Sequence, residues 1–356
     1  MDEIEFDREA RRAQREARRK KRILYRRIKL GAAALAVLAL IVLLVIWLAG
    51  GSKQDTLAAG DTIPQSVPSQ PAETPKPSPV AEPEPEPEEP FRVTSDTAAV
   101  REDLPSKYAV VIDAETGDIL ARRDSDLPVD PASMTKVLTL LVAAEQIDDR
   151  TGTWTMTREA TEYCFVNKCS VVGFETGETV PVEELFYGCI MNSGADACLG
   201  LAELAAGSHE AFVELMNIKL ADLGIDDTAH FTNCVGLPDP DHHCTMEDMA
   251  LILRTALEND FCRQVLTCRT LMLSPTEQHP DGQAMSNWFI RRIEDQDTGI
   301  VTVLSGKTGW VEESGFCAVS YAEDETGRGY LCATADSTGT WQSIYDHAEL
   351  YRTYVK

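Results

Sequence analysis

Positive charge is scarce in most of this 356-residue chain: beyond residue 29 there are 21 Lys and Arg against 52 Asp and Glu, within a whole-chain balance of −25. So acidic a surface repels polyanions, which excludes nucleic acid and anionic membrane surfaces as partners of that section. Cysteine is absent from the first 163 residues; all ten lie from Cys164 onward. The densest set of soft ligands, Cys234, His242, His243 and Cys244, lacks the spacing of a standard zinc finger, so no metal site is expected. Charge of either sign is missing from Leu30 to Gly50, a run of 21 residues.

That uncharged run has the length of a bilayer-spanning helix, about 20 residues, whereas a secretory core has about 7–15. It ends without a small-residue cleavage site, which favours an anchor over a cleaved signal. The 29 residues before it hold twelve Lys/Arg against six Asp/Glu. Such a basic flank stays in the cytoplasm and leaves everything after the span outside. The expected organisation is a basic cytoplasmic tail over 1–29, one transmembrane helix over 30–50, a linker over 51–92 and a folded domain over 93–356, extracellular or periplasmic. The linker is low in complexity, with Pro64, Pro68, Pro71, Pro75, Pro77 and Pro79 followed by Glu82 to Pro90 in near-strict Glu-Pro alternation. It cannot bury enough apolar surface to fold, and at about 3.1 Å per residue it would reach on the order of 120 Å.

An even count of exported cysteines suggests disulfides, with Cys164/Cys169, Cys234/Cys244 and Cys317/Cys332 as candidate pairs. Buried free thiols are the alternative in an organism that lives without oxygen.

Three short strings stand in order in the exported part: Ser133-Met134-Thr135-Lys136, Ser193-Gly194-Ala195 and Lys307-Thr308-Gly309. Pro131-Ala132 leads Ser133 into the apolar run Val137 to Ala144, so Ser133 is expected at a helix N-terminus, where unpaired N–H groups favour developing negative charge. Lys136, at i+3, leaves the same helix face. A desolvated lysine beside a serine hydroxyl can act as general base. Ser193 is expected at the exposed apex of a tight turn between two helices. Lys307 and Thr308 follow a β-branched run, Ile300 to Leu304, closed by Ser305-Gly306; Gly309 lets backbone approach a ligand closely. Taken singly, the strings also describe a capping serine, a helix corner and an edge-strand lysine.

In combination, residues from about 106 to 340 resemble the low-molecular-mass serine D-alanyl-D-alanine carboxypeptidases, penicillin-binding peptidases of the serine β-lactamase/DD-peptidase superfamily. The resemblance extends to Tyr108 to Leu120, Gly207 to Asn217, His230-Phe231-Thr232-Asn233 with Gly236-Leu237, and Ser314 to Cys317. It implies an α/β (α+β) DD-peptidase/β-lactamase-like transpeptidase fold, an antiparallel sheet flanked by helices with a helical lobe. It also implies removal of the terminal D-Ala from peptidoglycan stem peptides, without a cofactor and with β-lactams as covalent inhibitors. Ser133 would be the nucleophile, Lys136 the base and Ser193 the proton relay. Lys307, Thr308 and Gly309 would hold the substrate carboxylate, and the Ser133 and Trp310 N–H groups the oxyanion. Two positions depart from the family pattern: Ala195 replaces the usual asparagine, and Val311 stands where threonine is common. Alternatives are a catalytically weakened wall-binding or β-lactam-sensing module, marked by Ala195, or a β-lactamase; against the latter, the chain has no clear E-x-x-L-N segment to place a deacylating water.

The coarse element reading is a hairpin over 107–123, helices with breaks from 133 to about 223, a helix over about 246–259, strands at 300–304, 316–322 and 329–334, and a C-terminal helix from Trp341. Thr245 with Asp248 resembles a capping box with aspartate in place of glutamate.

Overall fold

The computed structural model describes residues 90–356; the expected tail, membrane span and most of the linker lie outside the described residues. Among the described residues no helix is long and apolar enough to cross a membrane. In chain order the elements are β1 (Arg92–Ala99), β2 (Tyr108–Asp113), β3 (Asp118–Arg123), a 3-10 turn (Ala132–Met134) running into α1 (Thr135–Gln146), β4 (Thr153–Thr155), α2 (Arg158–Val166), β5 (Thr179–Pro181), α3 (Val182–Met191), α4 (Ala195–Ala206), α5 (His209–Asp222), α6 (Met246–Glu258), α7 (Asp260–Thr267), β6 (Thr270–Met272), β7 (Ala284–Ser286), α8 (Trp288–Ile293), β8 (Val301–Val311), β9 (Gly315–Asp324), β10 (Gly329–Ser337) and α9 (Thr340–Tyr354).

Six strands form the main sheet in the order β1-β3-β2-β10-β9-β8. The early hairpin therefore pairs with the late one, with most of the helices inserted between β3 and β8. Its neighbouring strands are antiparallel apart from the parallel pair β1 and β3. That first strand was not legible: its residues, Arg-Val-Thr-Ser-Asp-Thr-Ala-Ala, are mostly exposed and lack apolar alternation. Just before it Phe91 is buried, with the Arg254 guanidinium 4.7 Å from its ring centre, so the folded unit begins ahead of residue 93.

Helix α1 is the centre of the larger core. Ten consecutive residues, Thr135 to Ala144, are buried, as expected of a helix that is apolar nearly all round. One sheet face packs on the 3-10 turn, α6 and α7, with Val110, Ile112, Val319, Leu331 and Ala333 in the same core as α1, α3 and α4; the other packs on α8 and α9 through Ala109, Val111, Ala318 and Cys332. Helix α6 opens on the expected capping box, Thr245 accepting from the Asp248 N–H while Asp248 accepts from that of Thr245.

Strand β8 does not stop before Lys307. It pairs with β9 from Val301 opposite Asp324 to Val311 opposite Gly315; the register slips once, at Leu304 between Val303 and Ser305, and Ser305-Gly306 pair in line after it rather than ending the strand. Pairing energy carries the strand through two residues poor in β-propensity.

All ten cysteines are free thiols. Cys317 and Cys332 cannot bridge the hairpin, because Cys332 lies opposite Ser320 and the two thiols belong to opposite faces of the sheet.

Candidate active site

The 3-10 turn delivers Ser133 to the head of α1, and Lys136 follows one turn later. Lys136 is buried, and its Nζ donates to Ser133 Oγ at 3.1 Å and to the Val235 carbonyl at 2.5 Å. The turn is strained: Ala132 sits at φ +48°, a left-handed conformation disfavoured for any residue with a Cβ. Two glycines close on it. A methyl at Gly236 would lie 1.9 Å from the Ala132 carbonyl oxygen, and one at Gly309 would lie 2.9 Å from the Ser133 nitrogen. Strand β8 and the loop at 236 thus pass the Ala132-Ser133 turn at distances only glycine permits.

The segment Phe231 to Leu237 is organised by one side chain. Buried Asn233 accepts through Oδ1 from the N–H groups of Val235, Gly236 and Leu237 at 3.2, 2.7 and 2.9 Å, and donates to the Leu237 carbonyl at 2.9 Å. This fixes the Val235 carbonyl that receives Lys136. Below it, buried His242 accepts the Thr232 N–H at Nδ1 (3.0 Å). Its Nε2 lies 2.8 Å from Thr135 Oγ1. Burial, then the His243 and His230 charges, push His242 down to about 3, so it is a neutral imidazole. With Nδ1 occupied as acceptor, Nε2 carries the proton and donates to Thr135. Sequence reading placed His242 only in an improbable zinc set and gave Asn233 no role. Nothing in the spacing shows that either supports α1. Among the described residues there is no group of three or more His, Cys, Asp or Glu that could hold a metal.

Ser193 is at the α3–α4 corner, as expected, but is half-buried rather than exposed, at φ +55°. The corner is tied down by Gly194 N–H to the Gly188 carbonyl (3.0 Å) and by Ala195 N–H to the Ser170 carbonyl (2.8 Å). Buried Asp196 accepts N–H groups from Val172, Gly173 and Phe174 at 2.9, 3.0 and 3.3 Å, holding that loop beside the corner. Burial raises the Asp196 carboxyl.

Lys307, buried on β8, donates to Ser193 Oγ at 3.0 Å and to the Thr308 carbonyl at 2.7 Å. Burial, followed by the charge of Lys136, pulls its ammonium down to about 7. Lys307 and Gly309 share the face of β8 that looks at Ser133. Alternation puts the half-buried Thr308 side chain on the other face, at the open edge of the sheet. Trp310 is 59 % exposed, its ring 6.0 Å from that of Phe316. Val311 is buried in the larger core, so the position where the family often has threonine is a packing site here. Ala195 is buried too, and Lys136 finds its acceptors in Ser133 and Val235 instead.

Behind α1 lies a group of buried thiols: Cys189 Sγ is 3.7 Å from the Lys136 carbonyl oxygen and 3.2 Å from Cys198 Sγ. Burial raises Cys198 and Cys234 far above the ordinary thiol range, which leaves them as packing groups rather than nucleophiles.

The family model described as D-alanyl-D-alanine carboxypeptidase matches residues 94–332. A Bacillus subtilis D-alanyl-D-alanine carboxypeptidase, DacF, is 34% identical over 153 residues, 43% of this chain and 39% of that protein. The chain thus matches less than half the length of that relative. Mycobacterium tuberculosis DacB2, named a D-alanyl-D-alanine carboxypeptidase, is 32% identical over 58% of this chain and 67% of its own. Among solved structures, a Mycobacterium tuberculosis D-alanyl-D-alanine carboxypeptidase superposes with a TM-score of 0.60 at 26% identity, over 70% of this chain and 92% of that one. The Streptomyces K15 DD-transpeptidase gives 0.63 over 70% and 97%; at 22% identity it speaks for the fold alone.

Proposed function

The chain belongs to the D-alanyl-D-alanine carboxypeptidase family, and from that premise we propose that it is a penicillin-sensitive serine DD-carboxypeptidase that trims the terminal D-Ala from peptidoglycan stem peptides. The observation that carries this reading is the convergence of two pairs, Ser133 with Lys136 at 3.1 Å and Ser193 with Lys307 at 3.0 Å, where strand β8 passes Ser133 at Gly309.

In this reading Ser133 Oγ attacks the carbonyl of the penultimate D-Ala while Lys136 takes its proton. The oxyanion is met by the N–H groups of Ser133 and Trp310, each such donor being worth about 3–4 kcal/mol of barrier. The proton held by Lys136 then passes through Ser193, which gives its own to the departing D-Ala amine and takes that of Lys136 in return, with Lys307 as hydrogen-bond donor to Ser193. Water then adds to the acyl-enzyme, the second product leaves with its new carboxylate, and Ser133 regains its proton. Lys307, Thr308 and Gly309 form the edge that receives the terminal carboxylate. Every proton in the cycle is held by a side chain or water, so the steps call for no cofactor.

The proposal includes the setting. The uncharged run at 30–50 and its basic flank support a single-pass anchor in the cell membrane with a cytoplasmic N-terminus. The linker supports reach into the wall. Release of free D-Ala from diacetyl-Lys-D-Ala-D-Ala, lost in Ser133→Ala, tests the activity. Acylation by a fluorescent penicillin without D-Ala release would replace this reading with a sensing or wall-binding module.

A further inference from the structure

Asp130 stands three residues before the nucleophile and takes no part in the cycle above. Its position is fixed from behind by Val129, which exchanges hydrogen bonds with Cys244 at 2.9 and 3.0 Å. Its Oδ1 accepts the N–H of Ala132 at 2.8 Å. Ala132 is the residue at φ +48°. Without a carboxylate on that N–H, an alanine has every reason to relax to negative φ, and the turn carrying Ser133 would rotate with it.

The other side of the same peptide is equally confined. The Ala132 carbonyl oxygen faces Gly236, and the Ser133 nitrogen faces Gly309. The Asp130 carboxylate therefore braces the N–H side of a turn whose carbonyl side is confined by the loop that supplies the Val235 acceptor to Lys136. Its half-buried setting, with Glu313 and Asp239 nearby, lifts the Asp130 carboxyl to about 6, which leaves it largely ionised at neutral pH and a strong acceptor for the Ala132 amide.

We infer that Asp130 is a positioning residue for acyl transfer: by accepting the Ala132 N–H it holds the left-handed turn that aims Ser133 at the substrate carbonyl. The inference rests on the proposed acyl-transfer activity, and it assigns Asp130 no contact with substrate.

The experiment uses the full chain in detergent. It measures the acylation rate with a fluorescent penicillin, kcat and KM for D-Ala release, and thermal melting, for wild type, Asp130→Asn, Asp130→Ala and the double variant Asp130→Ala with Ala132→Gly. Asp130→Ala is expected to lower kcat and the acylation rate by about 100-fold, the scale of a misplaced reacting group, with KM within about 3-fold. Asp130→Asn, which keeps an acceptor oxygen, is expected to recover most of the rate. So is the double variant, because glycine adopts positive φ without a tether. A melting loss common to Asp130→Ala and the double variant, with rate restored only in the latter, separates aim from stability. Wild-type rates in Asp130→Ala, or no recovery in either rescue variant, overturn the positioning role while leaving the activity standing. A wild-type chain that neither labels nor releases D-Ala overturns the activity, and the positioning role with it.

Discussion

Lys307 Nζ donates a 3.0 Å hydrogen bond to Ser193 Oγ across 114 residues of sequence. The bond joins the edge strand of the sheet to the corner of the helical lobe, and so closes the site between two structural layers. It also places a buried, desolvated cation where the proposed mechanism needs both a proton relay and a carboxylate anchor.

The first prediction concerns pH. Lys307 is brought down to about 7 by burial and by Lys136, so it is charged below that value and neutral above it. A carboxylate anchor is lost when the lysine is neutral, so kcat/KM for a D-Ala-D-Ala peptide should fall as pH rises through about 7. Lys307→Arg keeps its charge throughout and should lose that alkaline limb, whatever its absolute rate. Profiles of the two proteins with the same alkaline limb would show that Lys307 is not the titrating group.

Asn233 is expected to matter as a scaffold. Asn233→Ala strands three amide donors and frees the Val235 carbonyl. Each unsatisfied buried group costs about 1–3 kcal/mol, so chemical denaturation should show a loss of at least that size, together with slower penicillin acylation. Asn233→Asp retains the acceptor oxygen and should be milder on both counts. An alanine variant as stable and as fast as wild type would remove the scaffold role.

Gly309→Ala tests the close approach of β8. The added methyl would meet Cys317 Sγ at 2.8 Å, the Ser133 nitrogen at 2.9 Å and Ala132 Cβ at 3.0 Å. The strand has to yield, and with it the space beside the nucleophile. Overpacking of this kind costs about 1–3 kcal/mol; acylation should fall by more than that cost alone converts to, because the clash is aimed at the reacting serine. A variant that is less stable but labels at the wild-type rate would contradict this.

The thiols give the last prediction. With all ten cysteines free, alkylation of the denatured, unreduced protein followed by mass measurement should modify every cysteine, and dithiothreitol should leave the melting temperature where it was. Any pair protected from alkylation until reduced would reveal a disulfide.

Much of the chemistry was legible from residue order. Ser133 and Lys136 sit within four residues, and helical geometry alone puts them on one face. The capping box at Thr245 and Asp248 was likewise local, as were the hairpins on either side of Gly117 and of Asp324 to Gly329. These features depend on interactions between near neighbours, and the sequence states them directly.

What the tertiary structure decided is everything that depends on distant chain segments meeting. Strand β8 runs through Ser305-Gly306 because β9 pairs with it. Cys317 and Cys332 fall on opposite faces because the register of β9 and β10 puts them there. The left-handed Ala132, the Asn233 scaffold and neutral His242 beneath Thr135 leave no mark in spacing or composition, since each arises from a long-range contact. The sequence by itself picked out Ser133, Lys136, Ser193 and Lys307 as candidates; only packing determined how they are placed, because placement is set by backbone clamped between surfaces that lie far apart along the chain.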